Sequence, residues 1–485
     1  MNENGLNEDK MNKDKLNEDK LNEDIFVEIT NSNHEEINSG SAQINKKKRS
    51  RMVIAICLLM ALMGTFAYYA FLQLDRKTAG KTENVQVGAD VEGNIAIDDT
   101  IKDDDVGTYT NQLEVNDTNA ETENTEKKNT EKEDISNDTE THQTTSAEIV
   151  MVGDVLLHTP VSDSGLMEDG TYHYDHLFAN VKDEISAADL AIVNQEVILG
   201  GRELGLSGYP TFNGAYEVGD ALVAAGFDVI LHATNHALDQ GKTGIINCLN
   251  FWRTNYPEIG VIGINDSEEM QNEVYIKEVN GIKIAILNYT YGTNGINMPS
   301  DMPFAVNLID RDKIAKDLAI AREQADFIIV CPHWGIEYTH HENSDQTELA
   351  QFLAEQGADL IMGAHPHVIQ PVRWVEASNG NQALVYYSLG NFINATSEYG
   401  SGVADRMIGA MADVTIEMDG TGDVKIADYH AVPLVTQMLT GSGRITTYLL
   451  SDYNEELAGQ NEVNERDDAF SYDYCVRVSS EVLGE

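Results

Sequence analysis

The sequence predicts a layered α/β domain flanked by helices, set behind one transmembrane helix and a disordered acidic linker. Three observations carry this reading. From Ala147 onward, short apolar runs alternate with amphipathic segments, the pattern of sheets covered by helices. Residues 52–74 contain no charged side chain. Between Asp75 and Ala147 there are 19 acidic against 7 basic side chains and few large apolar ones.

The first 45 residues read as a disordered cytoplasmic segment. Within them a five-residue unit recurs as LNEDK, MNKDK, LNEDK and LNEDI, and a period of five scatters its Leu and Met positions around a helix, so no apolar face forms. Lys46, Lys47, Lys48, Arg49 and Arg51 then abut the run 52–74. At ~1.5 Å per residue this run reaches roughly 35 Å, enough to cross the hydrocarbon layer with some tilt. The basic cluster keeps its N-terminal side cytoplasmic and places the chain beyond residue 75 outside the cell. A cleaved signal peptide is the alternative, and Thr78-Ala79-Gly80 leaves room for cleavage, but the apolar stretch exceeds the roughly 7–15 residues of a signal core. The expectation is a single-pass cell-membrane protein.

Residues 75–146 cannot bury enough surface to offset their ordering entropy, and their charge favours extension. They read as a tether. The formal net charge of −49 over 485 residues, with no basic stripe beyond the short cluster, excludes nucleic acid as a partner. Cys57, Cys248, Cys331 and Cys475 show no close pairing and indicate neither a disulfide framework nor a thiolate zinc site.

In the main domain, 147–435, helices are expected over Leu177 to Ala188, Tyr216 to Ala225, Gly241 to Trp252, Arg311 to Gln324 and Gln346 to Gln356. Five apolar runs end in polar residues able to ligate or to move protons: Asp154 after Glu148 to Val152, Asn194-Gln195-Glu196 after Leu190 to Val193, Asn235-His236 after Val229 to Leu231, His333 after Phe327 to Val330, and His365 and His367 after Asp359 to Met362. Strand ends of α/β proteins are where side chains converge on ligands. In an extended backbone, residues i and i+2 point to one side, so His365 and His367 are expected to face one ion or a close pair. Further strands over Val274 to Val279, Ile282 to Leu287, Ala383 to Tyr387, Ala412 to Glu417 and Val424 to Tyr429 lack long helices between the later ones, so part of the fold is expected to be antiparallel.

Two decoys fail on inspection. Gly241-Lys242-Thr243 ends like a phosphate-binding loop, yet the position five before Gly241 is His236. Ser388 lacks a G-x-S-x-G elbow. His158, His173, His176, His340 and His341 read as polar loop residues. Carboxylate, amide and imidazole donors without thiolate suit two divalent ions such as manganese, zinc or iron, which together clamp an oxyanion and activate water.

The set GDVLLH, VNQE, ATNH, CPHWG, GAHPHV and YSLGNF, over about residues 147–435, resembles the CapA family, associated with poly-γ-glutamate capsule synthesis. That domain is similar to calcineurin-like metallophosphoesterases, so the resemblance implies a metallophosphoesterase-like β-sandwich flanked by helices. It further implies that Asp154, Asn235, His333, His365 and His367 ligate metal, that Glu196 bridges the two ions, and that His236 serves as proton donor or oxyanion contact. The sequence departs from the metallophosphoesterase pattern twice. Leu156 stands where Asp-x-His would place a histidine, and Asn194-Gln195-Glu196 replaces Gly-Asp-x-x-Asp. One ion position is therefore expected to be the weaker.

Residues 436–485 form a C-terminal extension with a helix expected over Thr447 to Leu457. The implied function is formation or export of an anionic capsule polymer, in company with a membrane-bound polymer synthase complex. A general envelope phosphoesterase acting on phosphorylated substrates and a non-catalytic scaffold are the alternatives.

Overall fold

Alternation along the strands dictates the layers. The computed structural model describes residues 144–484 apart from position 442. The N-terminal segment, the span expected over 52–74 and most of the acidic linker lie outside the described residues, among which no helix is long and apolar enough to cross a membrane.

The strands are β1 (Thr145–Val155), β2 (Leu190–Asn194), β3 (Val229–Leu231), β4 (Gly260–Ile262), β5 (Tyr275–Val279), β6 (Ile282–Thr290) and β7 (Phe327–His333). They continue with β8 (Leu360–Met362), β9 (Val372–Glu376), β10 (Gln382–Tyr386), β11 (Asn391–Ile393), β12 (Ile408–Met418), β13 (Val424–Gln437) and β14 (Thr446–Leu449). One sheet runs β14-β13-β12-β1-β2-β3-β4, with β11 also paired to β1, and the other runs β5-β6-β7-β8-β10-β9. β1 to β4 are parallel, as are β6, β7, β8 and β10, whereas β12, β13 and β14 are antiparallel. The fold is mixed α/β.

Successive side chains on a strand point to opposite faces. In the second sheet Ile284, Ile286, Phe327, Ile329, Leu360 and Leu384 join the core shared with the first sheet. Their neighbours Ala285, Leu287, Ile328, Val330, Ile361 and Val385 pack with Ile314, Leu318, Leu349 and Leu353, from the helices Arg311–Gln324 and Ser344–Glu355. The sheets thus lie face to face, and Cys331 Sγ meets Met151 Sδ at 3.9 Å across the seam. Helices Tyr216–Ala225 and Gly241–Asn255 bury Val218, Leu222, Ile245 and Leu249 into the first sheet's core.

Local chemistry sets the helix ends. Asp310 accepts the Lys313 N–H, and Asn343 with Gln346 forms a reciprocal capping box. The helix expected over Leu177 to Ala188 is instead a short turn at Asp175–Leu177 followed by Lys182–Ala187. Thr447 to Leu457 is not one helix either, because Thr446–Leu449 pairs with the free edge of β13 and helix begins only at Glu455. Beyond residue 435, β13 runs on to Gln437, and the helix Tyr472–Leu483 buries Cys475 and Val478 in the same core.

Candidate metal centre

Register brings the polar strand ends together. Asp154 on β1 is level with Asn194 on β2 and with Asn391 on β11, while Thr290 on β6 is level with His333 on β7, which bridges to Ala364 beyond β8. The β1 ladder is irregular at Asp154, a bulge that turns the carboxylate inward. Asn288 stitches the halves: its amide accepts the Ala233 N–H at 2.7 Å and donates to the Cys331 carbonyl at 2.8 Å.

Asp154, Glu196, Asn235, His333, His365 and His367 are all buried and all meet at this junction. Ligating atoms of Asp154, Glu196 and His367 lie within 4.8 Å of one another, as do those of Glu196, His333 and His365. Glu196 belongs to both sets. One of its oxygens lies 3.7 Å from His367 Nε2 and 3.8 Å from His333 Nε2. Asn235 Oδ1 lies 2.8 Å from His333 Nε2. Asn194 Nδ2 donates to Asp154 at 2.7 Å, and His367 Nδ1 lies 3.1 Å from Asp154 Oδ2 and 3.0 Å from Asn391 Oδ1.

The histidines converge for a reason other than the one expected. His365 and His367 have φ of 99° and 59°, so the segment is a left-handed loop rather than an extended strand. Such backbone costs of order 1–3 kcal/mol per non-glycine residue and is held here by surrounding contacts. Tyr338 N–H donates to the Pro366 carbonyl at 2.8 Å, and the His365 N–H faces Asp154 at 3.3 Å.

Charge in this pocket is unbalanced. Burial pushes Glu196 well above the ordinary carboxylate range, opposed by His367 and reinforced by Asp154. For His367 burial acts downward, yet the carboxylates of Glu196 and Asp154 prevail and raise it to about 10. Burial and then neighbouring imidazoles hold His333 and His365 well below their usual value. Neutral imidazoles are the form that ligates. Both Glu196 oxygens and His365 Nδ1 are buried with no hydrogen-bond partner among the described residues. A buried carboxylate without a hydrogen bond is costly, and a cation between these donors would satisfy it. The oxygen and nitrogen donor set fits manganese, zinc or iron.

His236 sits beside the junction, its Nδ1 2.6 Å from Asp239 Oδ2 and its ring edge-on to Phe212 at 4.7 Å. It lines a cleft of about 880 Å³ together with His367, Leu156 and His158. His158, read from sequence as a polar loop residue, is half-buried in the cleft wall, and burial followed by the charge of His367 lowers it to about 4. Sequence reasoning also passes over Asp239, Asn294, Glu337 and Arg406, all of which line the cleft from loops or a short turn. The exposed carboxylate of Glu337 comes within 4.8 Å of ligating atoms on His365 and His367.

A family model described as "Bacterial capsule synthesis protein PGA_cap" matches residues 148–396, just over half of the chain. The chain belongs to this family. It is 31% identical over 209 residues to the PGA biosynthesis protein CapA of Bacillus subtilis (strain 168), covering 42% of this chain and 51% of that protein. To the capsule biosynthesis protein CapA of Bacillus anthracis it is 27% identical over 255 residues, 50% of this chain and 59% of that one. This PGA_cap chain therefore spans a little over half the length of the curated relatives it matches. Solved structures similar to it include the NAD nucleotidase of Haemophilus influenzae, with TM-score 0.39, 13% identity, and coverage of 60% of this chain and 56% of that one. The calcineurin-like phosphoesterase YfkN of Bacillus subtilis has TM-score 0.35 and 15% identity, covering 60% and 91%.

Proposed function

We propose that this chain is a membrane-anchored, extracytoplasmic protein that takes part in making or exporting poly-γ-glutamate or a related anionic capsule polymer, and that it acts as a metal-dependent hydrolase. The hydrolytic part rests on Glu196, whose two buried oxygens have no hydrogen bond among the described residues and lie between two sets of histidine and carboxylate donors. Asp154, Glu196 and His367 would hold one divalent ion, and Glu196, Asn235, His333 and His365 the other. Two such ions supply Lewis acidity toward a phosphoryl or acyl oxygen.

The chain's own residues do the rest. With Nδ1 of His236 committed to Asp239, Nε2 is the ring nitrogen left to give a proton to a leaving group or to contact an oxyanion. Asn294 Nδ2 lies 3.4 Å from Nδ1 and 3.5 Å from Nε2, so it packs against the ring without engaging one nitrogen in particular. The names of the two relatives support the polymer role, and the basic cluster before residue 52 supports an N-terminus inside the cell with the domain outside, where a membrane-bound synthase complex is the partner proposed.

Leu156 favours a second reading, a scaffold that kept the fold. It is buried in the cleft wall and leaves the first ion position three donors. The deciding experiment measures metal content of the purified full chain together with hydrolysis of phosphate esters and γ-linked glutamate oligomers. Activity lost to a chelator and restored by metal supports the hydrolase. Capsule production that survives removal of the metal ligands supports the scaffold.

A further inference from the structure

Among the described residues lining the cleft, Arg406 is the single arginine or lysine. It sits in the turn Ala404–Met407 just before β12, with its side chain only 13% exposed. Its guanidinium carbon lies 3.7 Å from the ring centroid of Tyr338, and the Tyr338 ring is in turn 6.0 Å from that of His367. An arginine stacked this way is pre-organised and presents a flat fork of donors at modest entropy cost. The backbone is fixed as well, since the Arg406 carbonyl accepts from Asn391 Nδ2 at 3.0 Å, the same Asn391 whose Oδ1 meets His367.

The donors of this fork are only partly used. Nη1 donates to Glu398 at 2.7 Å, while Nε is buried with no hydrogen bond among the described residues. Glu398 is 61% exposed, on the stretch between β11 and the turn that carries Arg406. A carboxylate so open to water is weakly held and is readily exchanged for another anion.

We propose that Arg406 is the anion anchor of the cleft, binding a carboxylate or phosphate of the ligand in the place where the Glu398 carboxylate now stands. The reading rests on the cleft being the substrate site. It names the substrate class as one carrying an anionic group in the same cleft as the metal centre, on the Arg406 side of Tyr338, which a γ-linked glutamate chain and a phosphorylated compound both satisfy. A guanidinium fork matches either anion bidentately.

The test is calorimetric titration of the full chain with inorganic phosphate and, separately, with a γ-linked glutamate dipeptide, metal content being measured in parallel. Arg406→Gln should weaken binding of at least one probe by about 10- to 100-fold, the range for one charge-assisted pair. Arg406→Lys, which keeps the charge and loses the fork, should fall between. Glu398→Gln should tighten binding, because it removes the competing anion. A response confined to the dipeptide identifies a carboxylate as the anchored group, and one confined to phosphate identifies a phosphate. Unchanged affinity in Arg406→Gln at unchanged metal content, no binding of either probe by the native chain, or weaker binding in Glu398→Gln overturns the proposal. Arg406-dependent binding in a metal-loaded chain that hydrolyses neither phosphate esters nor γ-linked glutamate oligomers supports the anchor and removes only the catalytic reading.

Discussion

Asp239 Oδ2 takes up Nδ1 of His236 at 2.6 Å and at the same time accepts the backbone N–H of Phe212 at 2.7 Å. The ring is therefore held by a carboxylate that is itself anchored to the cleft wall, and the Phe212 ring packs perpendicular to it. An imidazole fixed at one nitrogen presents the other in a defined direction.

Replacing His236 by Ala should lower turnover by about 10²- to 10⁴-fold, the usual share of a positioned acid or base, with metal content retained. Asp239→Asn should give a smaller loss, since the ring remains but its orientation is less firmly set. Steady-state rates with metal analysis of the same samples check both. Loss of metal in His236→Ala would mean that this residue ligates rather than transfers a proton.

Glu196→Gln removes negative charge from between the two donor sets. Occupancy should fall at both ion positions, whereas Asn235→Ala should weaken only the position nearer His333. Elemental analysis after dialysis against graded metal concentrations separates these outcomes. Full double occupancy in Glu196→Gln defeats the bridging assignment.

Gly153 lets β1 pass against Gly390. A Cβ there would run into the Gly390 carbonyl oxygen, to which the Asp154 N–H donates at 2.9 Å. Gly153→Ala should cost about 1–3 kcal/mol through overpacking and also lower metal affinity by displacing Asp154. Urea unfolding and metal titration of one preparation measure the two effects. An unchanged unfolding midpoint contradicts this account of the bulge.

His232 is buried, with Cys248 Sγ at 3.5 Å, and burial lowers it from 6.5 to about 3. Between those values the unfolded chain binds a proton that the folded chain refuses, so stability falls as pH drops from 6.5 toward 3 and levels off below. The slope attributable to one such proton is about 1.4 kcal/mol per pH unit. His232→Gln should flatten the stability profile in this window by up to that amount. Urea melts at half-unit pH intervals give the comparison, and parallel profiles for the two proteins would show that another group titrates.

Protease added to intact cells should release the domain if residues 52–74 anchor it with the tether outside. Protection until the membrane is breached reverses the orientation. Deleting residues 81–140 should leave the domain's stability and any activity unchanged if this carboxylate-rich stretch is the tether proposed, since its charge would repel an anionic polymer.

The strand ends are legible in the sequence because each couples two signals in a few residues, an apolar run and then a polar group that a buried end would not tolerate without purpose. Asp154, Asn235, His333 and the His365–His367 pair stand out this way. Other polar residues lining the cleft do not: Asp239, Asn294 and Arg406 come from loops or a short turn, where no periodicity marks which side chains turn inward. The convergence of His365 and His367 is expected for the wrong cause, since period-two alternation does not foretell a left-handed backbone. Thr447 to Leu457 reads as helix because its pairing with β13 depends on a free sheet edge that the segment's own pattern does not encode.

The stitch made by Asn288 has a mechanical consequence. Asp154, Glu196 and Asn235 ride on one sheet and His333, His365 and His367 on the other, so any ion at their junction is a rivet through two plates. Sliding either plate opens the hole, and filling the hole locks both. Heating should therefore shed metal and part the sheets in a single event, while a chelator should bring that event to lower temperature without touching any covalent bond.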